Sequence, residues 1–167
     1  MSLDNKPVYS GGCQCGAVRF RIEGALGEAS VCHCRMCQKA TGGFFAPLVA
    51  VSRDQIEWTR GERTLFRSSN HVSRGFCASC GTPLTYEEPG ETMALSIGAF
   101  DHPERIPPSI QYGIERVLPY VDTLAGLPGR ETLQDLEEAS FLSDIRSFQH
   151  PDEDTETWPP EEGRSHT

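Results

Sequence analysis

Seven cysteines fall into three short groups whose spacing is typical of metal ligands. They are Cys13 and Cys15 in GGCQCGAV, Cys32, Cys34 and Cys37 in VCHCRMCQ, and Cys77 and Cys80 in GFCASCGTPL. Structural zinc takes four ligands in a tetrahedron, and thiolates separated by one or two residues can bind the same ion. Metal ligation is therefore the first chemistry that the sequence suggests.

The last pair is the most specific signal. Cys77 and Cys80 are flanked by Phe76 and Gly81, which resembles a zinc knuckle, but a pair cannot complete a tetrahedron alone. Pairing them with the two thiols of the first group closes a four-thiolate site. We therefore predict one structural zinc, with free or redox-active thiols as the alternative; its ligands are Cys13, Cys15, Cys77 and Cys80.

This partition leaves Cys32, Cys34 and Cys37 to hold a second ion with one position open. Three protein ligands and one exchangeable position are the arrangement of catalytic zinc. Three thiolates make the ion a weak Lewis acid but a good binder of a soft donor such as a substrate thiol. The cluster therefore predicts chemistry at sulfur.

Two alternatives for the cluster of three remain open. His33 could complete a second structural site, although a residue between two ligands in Cys-x-Cys tends to point away from the metal. The three thiols could instead form a redox-active group without metal. The other histidines, which lie in loop-like contexts, are predicted to be solvated at the surface; they are His71, His102, His150 and His166.

Composition excludes several classes of function. A chain of 167 residues, 37% of them hydrophobic, has the length of one domain and lacks the apolar run of about 20 residues that a membrane helix needs. MSLDNKPVYSGG does not have the pattern of a secretory signal, so we expect a cytoplasmic protein without stable disulfides. The net charge of −9, over half of it in residues 150–167, argues against nucleic acid and acidic lipid surfaces as partners.

The first 120 residues are dominated by short runs of strand-forming residues with glycine or proline between them. These runs predict a mainly β, mostly antiparallel fold. The predicted strands lie at about 17–24, 45–51, 55–59, 64–69, 72–77, 83–88 and 92–100.

Two helices are predicted. A short one over RMCQKAT should end at Gly42 and Gly43, because glycine tolerates the left-handed conformation of a helix end. The apolar spacing in 131–148 predicts a C-terminal helix packed on the sheet. We therefore expect a β domain over residues 1–130, a helical appendage over 131–149 and an acidic, flexible tail over 150–167.

The segments GGCQCGAVRF, CHCRMCQKATGG and RGFCASCGTPL, in this order, resemble the glutathione-dependent formaldehyde-activating enzymes, a family that includes centromere protein V-like proteins. The resemblance covers about Gly11 to Pro119. It implies an Mss4-like fold of small β-sheets around a structural zinc. It also implies condensation of glutathione with formaldehyde to S-hydroxymethylglutathione, a carbon–sulfur lyase activity, at a catalytic zinc held by Cys32, Cys34 and Cys37.

We therefore expect two zinc ions, and a glutathione-like thiol and an aldehyde as the small-molecule partners. Arg35, Lys39 and Arg74 lie near cysteine groups in the sequence and are our candidates for binding the glutathione carboxylates. The competing hypotheses are a non-catalytic zinc-binding module with an Mss4-like fold that binds another protein, and a redox-sensing thiol cluster.

Overall fold

The structure is a computed structural model and describes residues 6–132, 134 and 139–158. In this part of the chain the strands and the α-helix are β1 (Val8–Gly12), β2 (Arg19–Glu23), β3 (Ala29–Cys32), α1 (Arg35–Thr41), β4 (Ala46–Ser52), β5 (Ile56–Arg60), β6 (Thr64–Arg67), β7 (Ser73–Phe76), β8 (Pro83–Glu87), β9 (Thr92–Ser96) and β10 (Ile110–Tyr112). Short 3-10 helices span Arg53–Gln55, Ile97–Ala99, Pro103–Arg105, Ile114–Arg116, Val121–Gly126 and Ser140–Ser143.

The strands form two sheets. A small sheet has the order β1-β2-β5, and a large one has the order β10-β3-β4-β9-β8-β7-β6. All pairings of these strands are antiparallel except that of β10 with β3. The prediction of a mainly β fold is confirmed, and the architecture is consistent with an Mss4-like fold.

One hydrophobic core joins the two sheets. Phe20 and Ile22 of β2 are fully buried in the same cluster as Val49 of β4 and Leu95 of β9. Successive side chains of a strand point to opposite faces. Leu48 therefore lies on the face of β4 opposite to the buried Val49, and it is only partly buried. The outer face of the large sheet is therefore left for α1 and for an open cleft.

Local sequence signals located most of these elements well. Each predicted strand has a counterpart within a few residues, and α1 matches the predicted short helix, with Gly42 left-handed at its end (φ 68°). The sequence did not predict β1, β3 or β10. The last of these has only three residues, all exposed, which is shorter than the run of at least four that an alternation pattern needs.

The predicted C-terminal helix over 131–148 needs correction. Residues 133 and 135–138 lie outside the described residues, but 139–148 contain only the 3-10 helix Ser140–Ser143. Of the described residues whose apolar spacing predicted this helix, Ile145 is exposed, and Ala139 and Leu142 are only partly buried. An amphipathic helix draws most of its stability from burial of its apolar face, and in the described residues 139–148 that face is not buried in the core.

The tail was predicted to be flexible, but residues 149–158 lie against the body of the protein. His150, expected at the surface, is buried, and its backbone N–H donates to Gln14 O at 2.7 Å. Asp154 pairs with the buried Arg19 at 2.6 Å. The average composition of the tail concealed the few residues that make these contacts. Residues 159–167, with His166, lie outside the described residues.

Within the described part of the chain, no helix is both long and apolar enough to cross a membrane.

Candidate functional site

The two outer cysteine pairs converge on one point between the sheets. The sulfur atoms of Cys13, Cys15, Cys77 and Cys80 all lie within 4.8 Å of one another. The Cys13–Cys15 and Cys15–Cys77 sulfur distances are 3.6 and 3.8 Å. A tetrahedron with zinc–sulfur bonds of about 2.3 Å has edges of about 3.8 Å. The four sulfurs thus fit one tetrahedral metal ion, and the cluster could hold it.

Two tight turns present these sulfurs. Gly16 N–H donates to Cys13 O at 3.0 Å, and Gly81 N–H donates to Cys77 O at 2.8 Å. Both glycines have positive φ, 73° and 79°, which other residues rarely adopt. Val18 N–H donates to Cys13 Sγ at 3.2 Å. The cluster therefore joins the β1–β2 loop of the small sheet to the β7–β8 turn of the large sheet.

The electrostatics of this cluster are those of a cation site. Burial raises the pKa of Cys13, since a thiolate there loses hydration and faces the other sulfurs. Burial also opposes ionisation of Cys80, but hydrogen bonds from the side chain and backbone of Thr82 lower the pKa of Cys80 to about 6. Four close sulfurs cannot all ionise without a positive charge among them, and a divalent metal would supply it.

The middle cysteines form a second cluster at the start of α1. Cys32 ends β3, Cys34 caps the helix and Cys37 lies in its first turn. Their sulfur atoms lie within 4.8 Å of one another, and among the described residues no histidine, carboxylate or other cysteine completes the set. This cluster could hold a metal ion through three thiolates and leave one position to another ligand.

Cys32 and Cys34 differ in acidity. Burial raises the pKa of Cys32 to about 12, and the neighbouring Cys37 and Cys34 thiols add to this effect. Burial opposes ionisation of Cys34 too, but the backbone N–H of Cys37 and contacts with the Cys32 and Cys37 thiols lower the pKa of Cys34. Cys34, at the helix start, therefore ionises more readily than Cys32.

His33 points away from the three sulfurs. Its side chain is 1% exposed, its Nε2 lies 2.8 Å from Gln111 Oε1, and its ring packs edge to face on Phe45. Since His33 is tied to β10 and to the core, it does not act as a fourth donor in this geometry.

The chain around Gly113 and Arg116, which was not predicted to belong to the site, packs against the three-cysteine cluster. Gly113 has φ 65°, and a Cβ built on it would lie 2.8 Å from the backbone N of Cys34. Gln38 Nε2 donates to His33 O at 2.8 Å and to Arg116 O at 3.0 Å. Gln38 and Gln111 had no sequence signal of their own, although both lie within the stretch of about Gly11 to Pro119 that the family resemblance covers.

A cleft of about 770 Å³ opens between α1 and the outer face of the large sheet. It is lined by Arg35, Met36, Lys39, Ala40, Thr41, Ala46, Leu48, Phe66, Ser68, Arg74, Gly75, Phe76, Gly81, Pro83, Thr85 and Ser96. These described lining residues include three cations and no acidic side chain, although the chain carries a net charge of −9. The three basic residues singled out from the sequence therefore meet in one cleft, which favours an anionic ligand.

Arg74 connects this cleft to the three-thiol cluster. Its Nη2 donates to Cys37 Sγ at 3.4 Å, and its Nε donates to Ser68 Oγ at 3.1 Å. The guanidinium lies over the Tyr86 ring, 5.0 Å from the centroid. Arg74 is therefore held on three sides, and a ligand in the cleft would meet it beside the cysteine sulfurs.

Comparison with known proteins agrees with this geometry. Residues 8–115 match the sequence model of the family described as glutathione-dependent formaldehyde-activating enzyme. A crystal structure of a Rhodobacter sphaeroides protein superposes with a TM-score of 0.50 at 21% identity, covering 61% of this chain and 98% of the other. The structural likeness concerns the fold, and the family match covers well over half of the chain. The chain belongs to the glutathione-dependent formaldehyde-activating enzyme family.

Proposed function

We propose that this protein is a carbon–sulfur lyase that joins a glutathione-type thiol to formaldehyde or a related aldehyde at the Cys32, Cys34 and Cys37 cluster. Family membership supports a glutathione-dependent activity. The observation that carries the proposal is the contact between Arg74 and Cys37. It joins a cleft whose described lining is cationic, with no acidic side chain, to a set of three metal ligands.

The proposal includes two zinc ions. One would be structural and held by the four-cysteine cluster, whose sulfur spacing fits a tetrahedron. The other would be held by the three-cysteine cluster. A zinc ion with three thiolate ligands supplies an open position at which a substrate sulfur can bind as thiolate near neutral pH.

The chain's own residues bind and orient the thiol. Arg35 and Lys39 lie four residues apart on α1 and therefore share one helix face. Together with Arg74 they offer three cations to the two carboxylates of a glutathione-type molecule. With its carboxylates on these cations, the ligand would present its thiol end to the cysteine cluster beside Arg74.

The reaction balances without an oxidant. The thiol sulfur attacks the aldehyde carbon, a carbon–sulfur bond forms, the carbonyl π bond breaks, and the thiol proton ends on the new hydroxyl group. Thiols add to formaldehyde unaided, so the protein accelerates the reaction by orienting and desolvating the partners.

The test combines measurement of the zinc content with measurement of the rate of adduct formation above the uncatalysed rate. We expect the purified protein to hold two zinc ions and to increase the rate of S-hydroxymethylglutathione formation. NMR with carbon-13 formaldehyde measures this rate. Cys34→Ala should lose one zinc and the rate enhancement while keeping the circular dichroism of the fold. Full turnover by Cys34→Ala would contradict the proposal.

The same measurements separate the competing hypotheses. A non-catalytic binding module would hold its metal fully coordinated and give no rate enhancement with any thiol and aldehyde. A redox sensor would lose metal and form a disulfide within the cluster of three upon oxidation. No contact among the described residues favours either over the lyase.

A further inference from the structure

The cleft has an apolar wall that formaldehyde and glutathione leave unused. Met36 of α1 and Phe66 of β6 line it while 51% and 63% exposed. Leu48, Phe76 and Pro83 continue the same wall. Formaldehyde has a single carbon, and glutathione is polar and charged at both ends. The wall therefore fits neither reactant of the simplest reaction.

These apolar side chains are not part of the protein's core. The core lies between the two sheets, whereas the cleft lies on the outer face of the large sheet, under α1. Leu65 gives the comparison: it neighbours Phe66 on the edge strand β6 and is 51% exposed, but it does not line the cleft. Since neighbours in a strand point to opposite faces, Phe66 faces the cleft and Leu65 does not.

The cations fix the polarity of that ligand. Arg35, Lys39 and Arg74 attract an anion, and the described lining holds no acidic group that would attract the opposite charge. The volume, about 770 Å³, lies in the range of small-molecule pockets, roughly 300–1,000 Å³. A ligand that fills the cleft must combine anionic ends with an apolar portion, both within reach of the cysteine cluster.

We propose that the preferred aldehyde substrate is larger than formaldehyde, and that the apolar chain or ring of its adduct with a glutathione-type thiol packs against Phe66 and Met36. This inference rests on the proposed function and names the substrate class of the same site. In the forward direction the sulfur attacks the carbonyl carbon of the larger aldehyde, with the same balance of bonds and proton as above.

The binding test uses S-methylglutathione and S-hexylglutathione, whose capped sulfur prevents turnover, with the metal-loaded protein in a calorimeter. Burying a methylene strengthens binding by up to about fourfold. Because the cleft is open, the hexyl chain is only partly buried, and we expect S-hexylglutathione to bind about tenfold tighter or more than S-methylglutathione. Equal affinities would overturn the inference.

Phe66→Ala and Leu65→Ala form a matched pair of variants. Phe66→Ala should reduce the preference for the hexyl ligand about fivefold or more, whereas Leu65→Ala should leave it unchanged. Since both side chains are more than half exposed, neither change should prevent folding. An equal effect of the two variants would contradict the placement of the chain against Phe66.

Turnover separates this inference from the proposed function. Rate enhancement with formaldehyde, but no preference for the hexyl ligand or for hexanal, would overturn the inference and leave the lyase intact. Tighter binding of the hexyl ligand without rate enhancement for formaldehyde or hexanal would support the ligand chemistry and overturn the lyase. Enhancement with a higher kcat/KM for hexanal than for formaldehyde would support both.

Discussion

Arg74 Nη2 donates to Cys37 Sγ at 3.4 Å across 37 positions of sequence. The contact ties β7 to α1 and sets a permanent positive charge beside three sulfurs that together would carry excess negative charge around a divalent ion. Tyr86 beneath the guanidinium and Ser68 at its Nε keep Arg74 in this orientation. The pair is therefore the structural link between the metal-ligand cluster and the anion-binding cleft.

Arg74→Ala should lower kcat/KM for a glutathione-type thiol about 10- to 100-fold, because it removes a charge-assisted hydrogen bond worth roughly 1.5–3 kcal/mol. Arg74→Lys should recover only part of this loss, since an ammonium cannot make the same forked contact with Ser68, Cys37 and a carboxylate. Steady-state kinetics on both variants provides the measurement.

Arg67→Ala is the matched control for Arg74. Arg67 lies on the adjacent strand β6, donates to the backbone oxygens of Ser69 and Asn70, and does not line the cleft. Its removal should leave kcat/KM unchanged. If the two variants lose activity equally, general surface charge would explain the effect of Arg74 and the specific contact would not.

Gly113→Ala should disturb the three-cysteine cluster selectively. Gly113 has φ 65°, and an added Cβ would lie 2.8 Å from the backbone N of Cys34. We expect a loss of stability of about 1–3 kcal/mol and weaker metal retention at this cluster, measured by chelator competition.

Gly98→Ala gives the comparison for Gly113. An added Cβ at Gly98 meets nothing within 4 Å, and Gly98 is not among the glycines with positive φ. This variant should retain both stability and metal. If Gly113→Ala keeps the metal of the three-cysteine cluster as tightly as Gly98→Ala does, the backbone packing behind Cys34 is not what positions that ligand.

The sequence predicted the grouping of the cysteines because ligand counting needs only short spacings. It could not predict which basic side chain reaches a sulfur, since the contact of Arg74 with Cys37 depends on how β7 lies relative to α1. The parallel pairing of β10 with β3, which brings Gln111 to His33, is likewise a long-range contact. The helix predicted from apolar spacing is absent from the described residues 139–148 for a different reason, because periodicity does not show whether a surface exists on which the apolar face can pack.

Glu87 should contribute to stability in a pH-dependent way. Although burial opposes its ionisation, hydrogen bonds from Arg63, Thr85 and Arg53 lower its pKa to about 2. A carboxyl whose pKa is lower in the folded state stabilises the protein above its unfolded pKa and loses this contribution as pH falls. Glu87→Gln should therefore cost roughly 2–3 kcal/mol near pH 7.

The pH dependence of the free energy of unfolding shows whether Glu87 acts through its charge. The difference in free energy of unfolding between the wild type and Glu87→Gln should stay constant from pH 7 to about 5 and shrink below the unfolded pKa of about 4.3. Urea unfolding at several pH values measures it. A difference that is independent of pH down to 3 would mean that Glu87 acts through packing and not through its charge.

The C-terminal segment 149–158 should protect the four-cysteine cluster. Trp158 Nε1 donates to Cys15 O, and the Trp158 ring, packed edge to face on His150, lies against Gly16. Asp154 adds a bond to Arg19, which is 3% exposed and also paired with Asp101. This segment lies beyond the family match at 8–115.

A chain ending at Phe148 should therefore release metal from the four-cysteine cluster to a chelator several-fold faster, because the covering segment restricts access to the β1–β2 loop that carries Cys13 and Cys15. Trp158→Ala should reproduce most of the effect without shortening the chain. The three-cysteine cluster provides the internal control, since it lies in another part of the fold and its release rate should not change. Equal acceleration at both clusters would indicate general destabilisation and contradict a local protective role.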